Sequence, residues 1–250
     1  MNVGWGLAVG LVLLVALGVA ASLVGRLGLA RQQVVAAVRA VLQLAVVSLV
    51  LAAAVQSWWG AAAFWALMFG VALWTTTGRV GVRPCWVWSG LALLAGIVPV
   101  LLIVFATGAS PFNPITLVAL GGIVTGNMMT AHTLAGRRIF AALAETRGEY
   151  EAALALGLQR RDAIGLVIDR VLPEALIPNL DQTRTVGLVT LPGAFIGVLL
   201  GGGSPVQAGA AQVLVLIAIM AGQACTVTVL AELVRRGLVL PGDLRGQLRP

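Results

Sequence analysis

The sequence of residues 84–136 is PCWVWSGLALLAGIVPVLLIVFATGASPFNPITLVALGGIVTGNMMTAHTLAG, which contains no charged side chain over 53 positions. A membrane-spanning helix needs about 20 predominantly apolar residues, so this stretch is long enough for two of them. Its middle, residues 107–114, is rich in Gly, Ser, Asn and Pro, which are turn-forming residues. The stretch therefore predicts a hairpin of two transmembrane helices.

Three other stretches also lack charged residues, namely 1–25, 40–78 and 185–231. The first fits one membrane span, and each of the other two fits two spans separated by a turn. Turn-forming residues occur at 56–60 and at 201–205. The pattern predicts an all-α polytopic bundle of about seven transmembrane helices, at roughly 5–25, 38–56, 60–78, 86–106, 114–136, 185–202 and 207–231.

The composition excludes several classes of protein. Of the 250 residues, 60% are apolar and 10% are charged, whereas about 25% of the residues of a soluble domain are charged. The chain has no lysine, which a Walker A nucleotide site requires. It has two distant cysteines and one histidine, so neither a disulfide framework nor a multi-histidine metal site is expected. We therefore expect a protein that is not an enzyme and holds no cofactor.

The charged residues lie in four segments, 26–39, 79–83, 137–184 and the tail from Glu232. Arginine-rich short loops stay in the cytoplasm, which predicts an outside N-terminus and a cytoplasmic C-terminus. The net charge of +7 then indicates contact with lipid rather than with nucleic acid. We expect one transmembrane domain over residues 1–250, spanning the plasma (inner) membrane several times.

The segment 137–184 holds 14 of the 25 charged residues, too many for a membrane span. One interpretation is an amphipathic pair of helices that lies against the bilayer. The other is a cytoplasmic helix that docks on a partner protein and ends at Gly157, a residue type common just after a helix.

Residues 151–157, with the sequence EAALALG, and the later Leu172-Pro173 pair resemble the EAA loop of ABC-transporter permeases, EAA-x3-G-x9-I-x-L-P. Here the Leu-Pro pair lies three residues later than in that pattern. The resemblance implies that Glu151, Ala152, Ala153 and Gly157 form part of a coupling helix. The partner of that helix would be a separate ATP-binding cassette subunit.

Three further blocks widen the resemblance: GNMMTAH at 126–132, DQTRTVGLVTLPG at 181–193 and GGGSP at 201–205. They are similar to the FetB-type permeases and to the plant aluminium-tolerance half-transporters, over roughly residues 30–235. The resemblance implies a permease that forms a homodimer and works with an ATP-binding subunit. Bacterial members are linked to iron export, and plant members to aluminium tolerance and nucleotide-sugar transport.

Polar and sulfur-containing side chains in the fifth predicted span mark a candidate substrate route. Thioether and imidazole groups are soft or borderline ligands, so Met128, Met129 and His132 form a candidate metal site. Asn127 and Thr130 are further candidates for the route, since an amide within a span needs a partner. The alternative is that the methionines pack against other helices and that His132 makes an ordinary hydrogen bond.

The sixth predicted span contains a candidate hinge. Pro192 removes a backbone hydrogen bond, and Gly193, Gly197 and Gly201 follow at the four-residue spacing that allows helices to approach closely. These glycines could pack inside one subunit, or they could serve a dimer contact or a gate. Asp181 and Arg184 are spaced for a local ion pair.

An intramembrane serine protease is the alternative from another class, because Gly202 and Gly203 precede Ser204 and His132 could act as its base. The predicted topology excludes it, since about 30 Å of hydrocarbon would separate the two side chains. An ATP-independent secondary transporter or channel stays open, although such carriers usually hold an ionisable residue at mid-membrane.

The sequence thus predicts the membrane subunit of an ABC transporter that exports iron-like metal ions. A permease for a small organic solute, such as a nucleotide sugar, is the alternative.

Overall fold

The computed structural model describes residues 4–248 and divides into two compact units, one up to Ser57 and one from Trp58 onward. Helices are the regular structure of the described chain, in which no strand forms. The predicted all-α class is therefore confirmed.

The first unit is a pair of long helices, α1 (Trp5–Val24) and α2 (Ala30–Ala54). They pack against each other, and the Ser22 hydroxyl donates a hydrogen bond to the Gln33 side chain at 3.0 Å. Helix α2 begins eight residues before the predicted span at 38–56, so it includes Arg31 and Arg39.

The second unit contains nine α-helices and two short 3-10 helices (Arg83–Cys85 and Leu172–Ala175) within the described residues. In chain order the α-helices are α3 (Trp58–Arg79), α4 (Trp86–Ala106), α5 (Pro114–Glu145), α6 (Arg147–Ala155), α7 (Arg160–Ile168), α8 (Ile177–Thr185), α9 (Gly193–Leu200), α10 (Pro205–Arg235) and α11 (Gly242–Gln247). Helices α3, α4, α5 and α10 pack against one another and form the interior of this unit.

Capping residues fix the start of the two longest helices. The Asn113 side chain accepts a hydrogen bond from the Thr116 N–H at 2.9 Å, and Pro114 is the first residue of α5. Ser204 and Gln207 form a reciprocal capping box at the start of α10, and Pro205 follows the cap. These caps lie in the turns that the sequence predicted at 107–114 and 201–205.

One end of the second unit carries its ion pairs, and we call it the charged end. Arg161 contacts Glu232 at 2.8 Å, and Arg138 contacts Glu174 at 3.2 Å. These contacts join the C-terminal part of α10 to α7, and that of α5 to the segment between α7 and α8.

The opposite end holds the loop before α5 and the turn before α10, and we call it the uncharged end. The centroid of the Phe112 ring lies 4.4 Å from that of Trp58 and 5.0 Å from that of Phe105. A cavity of about 990 Å³ at this end is lined by Ser110, Val198 and Gln207 together with apolar side chains of α10.

Six helices of the described chain are long and apolar enough to cross a membrane: α1, α2, α3, α4, α5 and α10. The prediction of a continuous sixth span at 185–202 is wrong. That stretch contains the end of α8, a link over residues 186–192, and α9 with eight residues. Gly187 adopts φ +84°, and Pro192 has no N–H to donate, so neither continues a helix.

The chain nevertheless passes from one end of the second unit to the other in this region. Glu174, just before α8, pairs with Arg138 at the charged end, whereas Val198 of α9 lies beside Ser110 at the uncharged end. The passage is therefore made by a broken segment rather than by a single helix.

The charged segment is more regular than a solvated loop. Helix α5 extends to Glu145, nine residues beyond the predicted span, and α6 and α7 then pack as a hairpin. Gly157 adopts φ +89° directly after the cap of α6, which confirms the predicted end of the helix.

Candidate functional site

Helix α5 carries the candidate substrate residues, and its two sides differ in burial. Met128 and His132, one helical turn apart, are fully buried. Asn127 and Met129 are half-buried, and Thr130 is exposed. The structure thus divides the five predicted residues between the core and an outer face.

A hydrogen-bond network between α3 and α5 holds the His132 ring. Thr76 Oγ1 lies 2.9 Å from His132 Nδ1 and 2.8 Å from Thr133 Oγ1. Thr133 Oγ1 in turn lies 2.8 Å from the Met129 carbonyl oxygen. Each threonine hydroxyl has one hydrogen to donate. All three contacts are hydrogen bonds only if Thr133 donates to the carbonyl, Thr76 donates to Thr133, and Nδ1–H donates to Thr76.

Taken together, these three contacts favour the tautomer of the neutral His132 imidazole that carries its hydrogen on Nδ1. With the hydrogen on Nδ1, the Nε2 atom carries a free lone pair, which is the form in which histidine binds metals. Nε2 is buried and has no hydrogen-bond partner among the described residues.

Met128 lies where α4, α5 and α10 approach closely. A Cβ atom on Gly96 would lie 2.2 Å from Thr226 Oγ1, 2.4 Å from the Gly222 carbonyl oxygen and 2.8 Å from Met128 Sδ. A Cβ atom on Gly222 would lie 2.9 Å from the same sulfur. The two glycines therefore provide the space that the thioether fills.

Further polar atoms are buried in the same interior without partners. Among the described residues, no hydrogen bond reaches Ser89 Oγ on α4, or Gln223 Oε1 and Thr226 Oγ1 on α10. Unpaired buried polar atoms cost free energy, and they mark places where water, an ion or a ligand could bind. We call Ser89, Met128, His132, Gln223 and Thr226 the polar seam.

The residues of the polar seam include one imidazole and one thioether, together with hydroxyl and amide groups on α4 and α10. Such a set suits a soft or borderline cation such as Cu(I) or Fe(II). Within residues 4–248, no three His, Cys, Asp or Glu side chains come together as metal ligands.

The polar side chains on the outer face of α5 donate hydrogen bonds to the backbone of their own helix. Asn127 Nδ2 donates to the Ile123 carbonyl oxygen at 2.8 Å, and Thr130 Oγ1 donates to the Gly126 carbonyl oxygen at 3.1 Å. Both side chains remain accessible, Asn127 in part and Thr130 fully.

The candidate coupling residues lie on and beside α6 at the charged end. Glu151 and Ala152 are exposed, whereas Ala153 is buried with Tyr150, whose hydroxyl donates to the Leu248 carbonyl oxygen at 3.4 Å. Glu151 accepts a hydrogen bond from Arg147 at 2.7 Å. One side of α6 is thus anchored, and the other is free.

The tip of this hairpin is also free. The Leu156 side chain is 83% exposed, and a Cβ atom on Gly157 would meet no atom within 4 Å. An exposed leucine beside small residues is a surface that another protein can cover.

The candidate hinge lies at the link. Pro192 immediately precedes α9, and a Cβ atom on Gly193 or Gly197 would meet no atom within 4 Å. The nearest atoms around Gly201 belong to α9 itself. Within the second unit no other helix fills the space beside Gly193 or Gly197. The predicted role of the glycine ridge, in packing, in a dimer contact or in a gate, stays a prediction.

Two other expectations are settled by these contacts. The predicted ion pair is confirmed, because Arg184 Nη1 lies 3.4 Å from Asp181 Oδ1. The serine protease is excluded: Ser204 Oγ accepts the Gln207 N–H at the uncharged end, whereas His132 lies about 27 Å along α5 from its first residue.

Sequence reasoning missed Thr76, Ser89 and Thr226. Thr76 belongs to a run of three threonines, 75–77, within a predicted span. Three hydroxyl groups in an apolar span could have indicated a polar contact with another helix. The contact of Thr76 with His132 joins residues 56 positions apart, and no spacing rule reveals it.

Comparison with known proteins places the chain in a family. The profile of the uncharacterised protein family UPF0014 matches residues 5–239. The rice UPF0014 membrane protein STAR2 (Oryza sativa subsp. japonica) is 34% identical over 82% of this chain and 73% of its own length. The Synechocystis membrane protein slr1647 is 31% identical over 73% of each chain.

A third relative is the Escherichia coli protein named probable iron export permease protein FetB. It is 28% identical over 54% of this chain, and the match spans about half of FetB (52%). No solved structure matches the chain. The chain is a multi-pass membrane protein, and it belongs to the UPF0014 family.

Proposed function

We propose that the chain is the membrane-spanning permease subunit of an ABC transporter that exports metal ions from the cytoplasm across the inner membrane. A separate subunit hydrolyses the ATP, because a chain without lysine cannot form a Walker A site. The observation that carries the proposal is the free side of α6, which presents Glu151 and Ala152 at the charged end, with the exposed Gly157 just beyond the helix.

Helix α6 suits a coupling role because its two sides differ. Glu151, Ala152 and Leu156 are available to a partner, and the small alanine allows close approach. The other side, through Tyr150 and Ala153, belongs to the core cluster of the charged end. Movement of the partner would therefore be passed to α5, which α6 follows directly.

The polar seam supports a cation as the substrate. Its ligands are weak, and an ion must leave as well as bind. In this structure Met128 and His132 are fully buried, so capture requires α4, α5 and α10 to separate. ATP hydrolysis in the partner subunit would move α6, and this movement would separate the three helices. We place Asn127, Met129 and Thr130 on the outer side of the route, and two copies of the chain around it.

The cavity at the uncharged end favours a second candidate, a small organic solute. Its volume of about 990 Å³ reaches the upper end of the range of small-molecule pockets. Its lining, apart from Ser110 and Gln207, is apolar, which suits an organic group better than a bare ion.

The test is reconstitution of the chain with the ATPase that co-purifies from its native membrane. We expect ATP hydrolysis to rise with Fe(II) or Cu(I). Glu151→Lys should reduce both subunit binding and stimulated hydrolysis at least tenfold, because it reverses a charge on the docking side. Asp243→Lys is the matched control, since it reverses an exposed charge on α11 at the same end. Unchanged hydrolysis and binding in Glu151→Lys would contradict the proposal.

A further inference from the structure

A groove lies on the exposed face of α3, next to the loop that leads to α4. It has a volume of about 270 Å³, and its lining residues are Gly70, Leu73, Trp74, Thr77, Arg83 and Trp86. The four lining residues of α3 recur every three or four positions, so they share one face of the helix over about 10 Å. The groove therefore runs along the helix axis, from the loop toward the membrane interior.

The loop end of the groove lies at a membrane–water boundary. Helix α3 begins at Trp58 at the uncharged end, and its 22 residues span about 33 Å, close to the thickness of the hydrocarbon core. The loop after α3 belongs to the charged end, because Cys85 is buried in the same core cluster as Tyr150 of α6. Trp74 and Trp86 are exposed there, as is typical of tryptophan at a membrane boundary.

Arg83 holds a defined position at this end of the groove. Its guanidinium carbon lies 4.4 Å from the centre of the Trp74 ring, which is a cation–π contact. The guanidinium also lies against Gly78, where a Cβ atom would be only 3.2 Å from Arg83 Nη2. It donates no hydrogen bond to any described residue and contacts no described carboxylate. A positioned guanidinium with free N–H groups suits the binding of an anion.

The other contents of the chain narrow the choice of anion. The first unit cannot supply it, because residues 1–57 contain three arginines and neither Asp nor Glu. A small soluble anion would leave the rest of the groove empty, since that part is apolar except for Thr77, whose hydroxyl donates to the Leu73 carbonyl oxygen at 2.7 Å. A ligand with an anionic head and an apolar tail fits both parts.

We propose that this groove binds an anionic phospholipid of the cytoplasmic leaflet, with its phosphate on Arg83 and one acyl chain along Leu73 and Gly70. Arginine-rich loops stay in the cytoplasm, and the leaflet on that side carries anionic lipids. Gly70 leaves room for the chain, because a Cβ atom there would meet nothing within 4 Å. The site shares no residue with the polar seam or with α6, so it goes beyond the proposed function and does not depend on it.

Native mass spectrometry of the full chain tests the head of the site. The chain is released from nanodiscs made of equal parts of phosphatidylglycerol and phosphatidylcholine, and we expect it to retain phosphatidylglycerol in preference. Arg83→Gln should weaken that retention at least about tenfold, because the phosphate loses a charged donor. Arg79→Gln is the matched control, since it removes an exposed arginine of the same segment on the opposite side of α3.

A second pair of variants tests the tail of the site without changing any charge. Gly70→Leu and Gly209→Leu both add a side chain where a Cβ atom meets nothing within 4 Å, so both chains should fold. Only Gly70→Leu fills the groove, and only this variant should lower the retained phosphatidylglycerol, again at least about tenfold.

Inorganic phosphate separates a lipid from a soluble anion. An excess of it should not displace phosphatidylglycerol, because free phosphate gains nothing from the apolar part of the groove. Displacement by inorganic phosphate would overturn the inference, and so would equal retention within either pair of variants. A wild-type chain that retains no phosphatidylglycerol would also overturn it, since another protein surface would then cover the groove.

Discussion

Gly96→Ala should destabilise the second unit, because the methyl group has no space. Its carbon would lie 2.4 Å from the Gly222 carbonyl oxygen and 2.2 Å from Thr226 Oγ1. The hydroxyl can rotate away, but the carbonyl belongs to the backbone of α10, so α4 and α10 must move apart.

The size of the effect follows from two opposing contributions. Overpacking of a well-packed interior costs about 1–3 kcal/mol. Replacing glycine by alanine within a helix gains roughly 0.5–1 kcal/mol. Gly126→Ala on α5 is the control, because its Cβ atom would meet nothing within 4 Å. This variant should therefore show only the stabilisation that comes from replacing glycine within a helix. Because both variants receive the same gain, they should differ by the cost of overpacking alone, about 1–3 kcal/mol in the free energy of unfolding.

The assay is reversible unfolding of the purified chain from bicelles by added SDS, followed by the fluorescence of its seven tryptophans. Adding Thr226→Ala to Gly96→Ala should recover only part of the loss, because the backbone contact remains. Gly96→Ala as stable as Gly126→Ala would show that the three helices do not meet at this crossing.

Three further predictions follow from the site and the topology. Since the chain has one histidine, ¹⁵N-histidine NMR should show a single imidazole protonated at Nδ1; a proton on Nε2 would contradict the network at Thr76. Met128→Leu should raise the metal concentration for half-maximal ATPase stimulation at least about tenfold, whereas Met129→Leu should leave it unchanged. Equal concentrations for the two variants would show that the Met128 sulfur is not a metal ligand. Single cysteines at Ser110 and Leu156, in the Cys225→Ser background, should react with impermeant maleimide from opposite sides of the membrane, and labelling from one side would refute the topology.

The helical membrane fold could be predicted because its causes are local. Uncharged stretches, Asn113-Pro114 and Ser204-Pro205 mark the helices and their starts without reference to any partner. Gly157 ends α6 for the same reason, since few other residues adopt a positive φ at little cost.

The broken passage could not be predicted from hydropathy. Residues 185–202 are apolar enough for a span, and a window average does not register the turn at Gly187 and Pro192. The burial of Met128 and His132 could not be predicted either, since it depends on contacts with Gly96, Gly222 and Thr76 of other helices. Helical spacing correctly placed the two residues on one face, but it did not show which way that face points.

The most direct test of the account is metal flux in sealed vesicles that contain the purified chain with or without its ATPase. The account predicts Fe(II) or Cu(I) movement only when both subunits and ATP are present, away from the side that carries α6, and its loss in Glu151→Lys. Flux through the chain alone, driven by an ion gradient and indifferent to ATP, would contradict it.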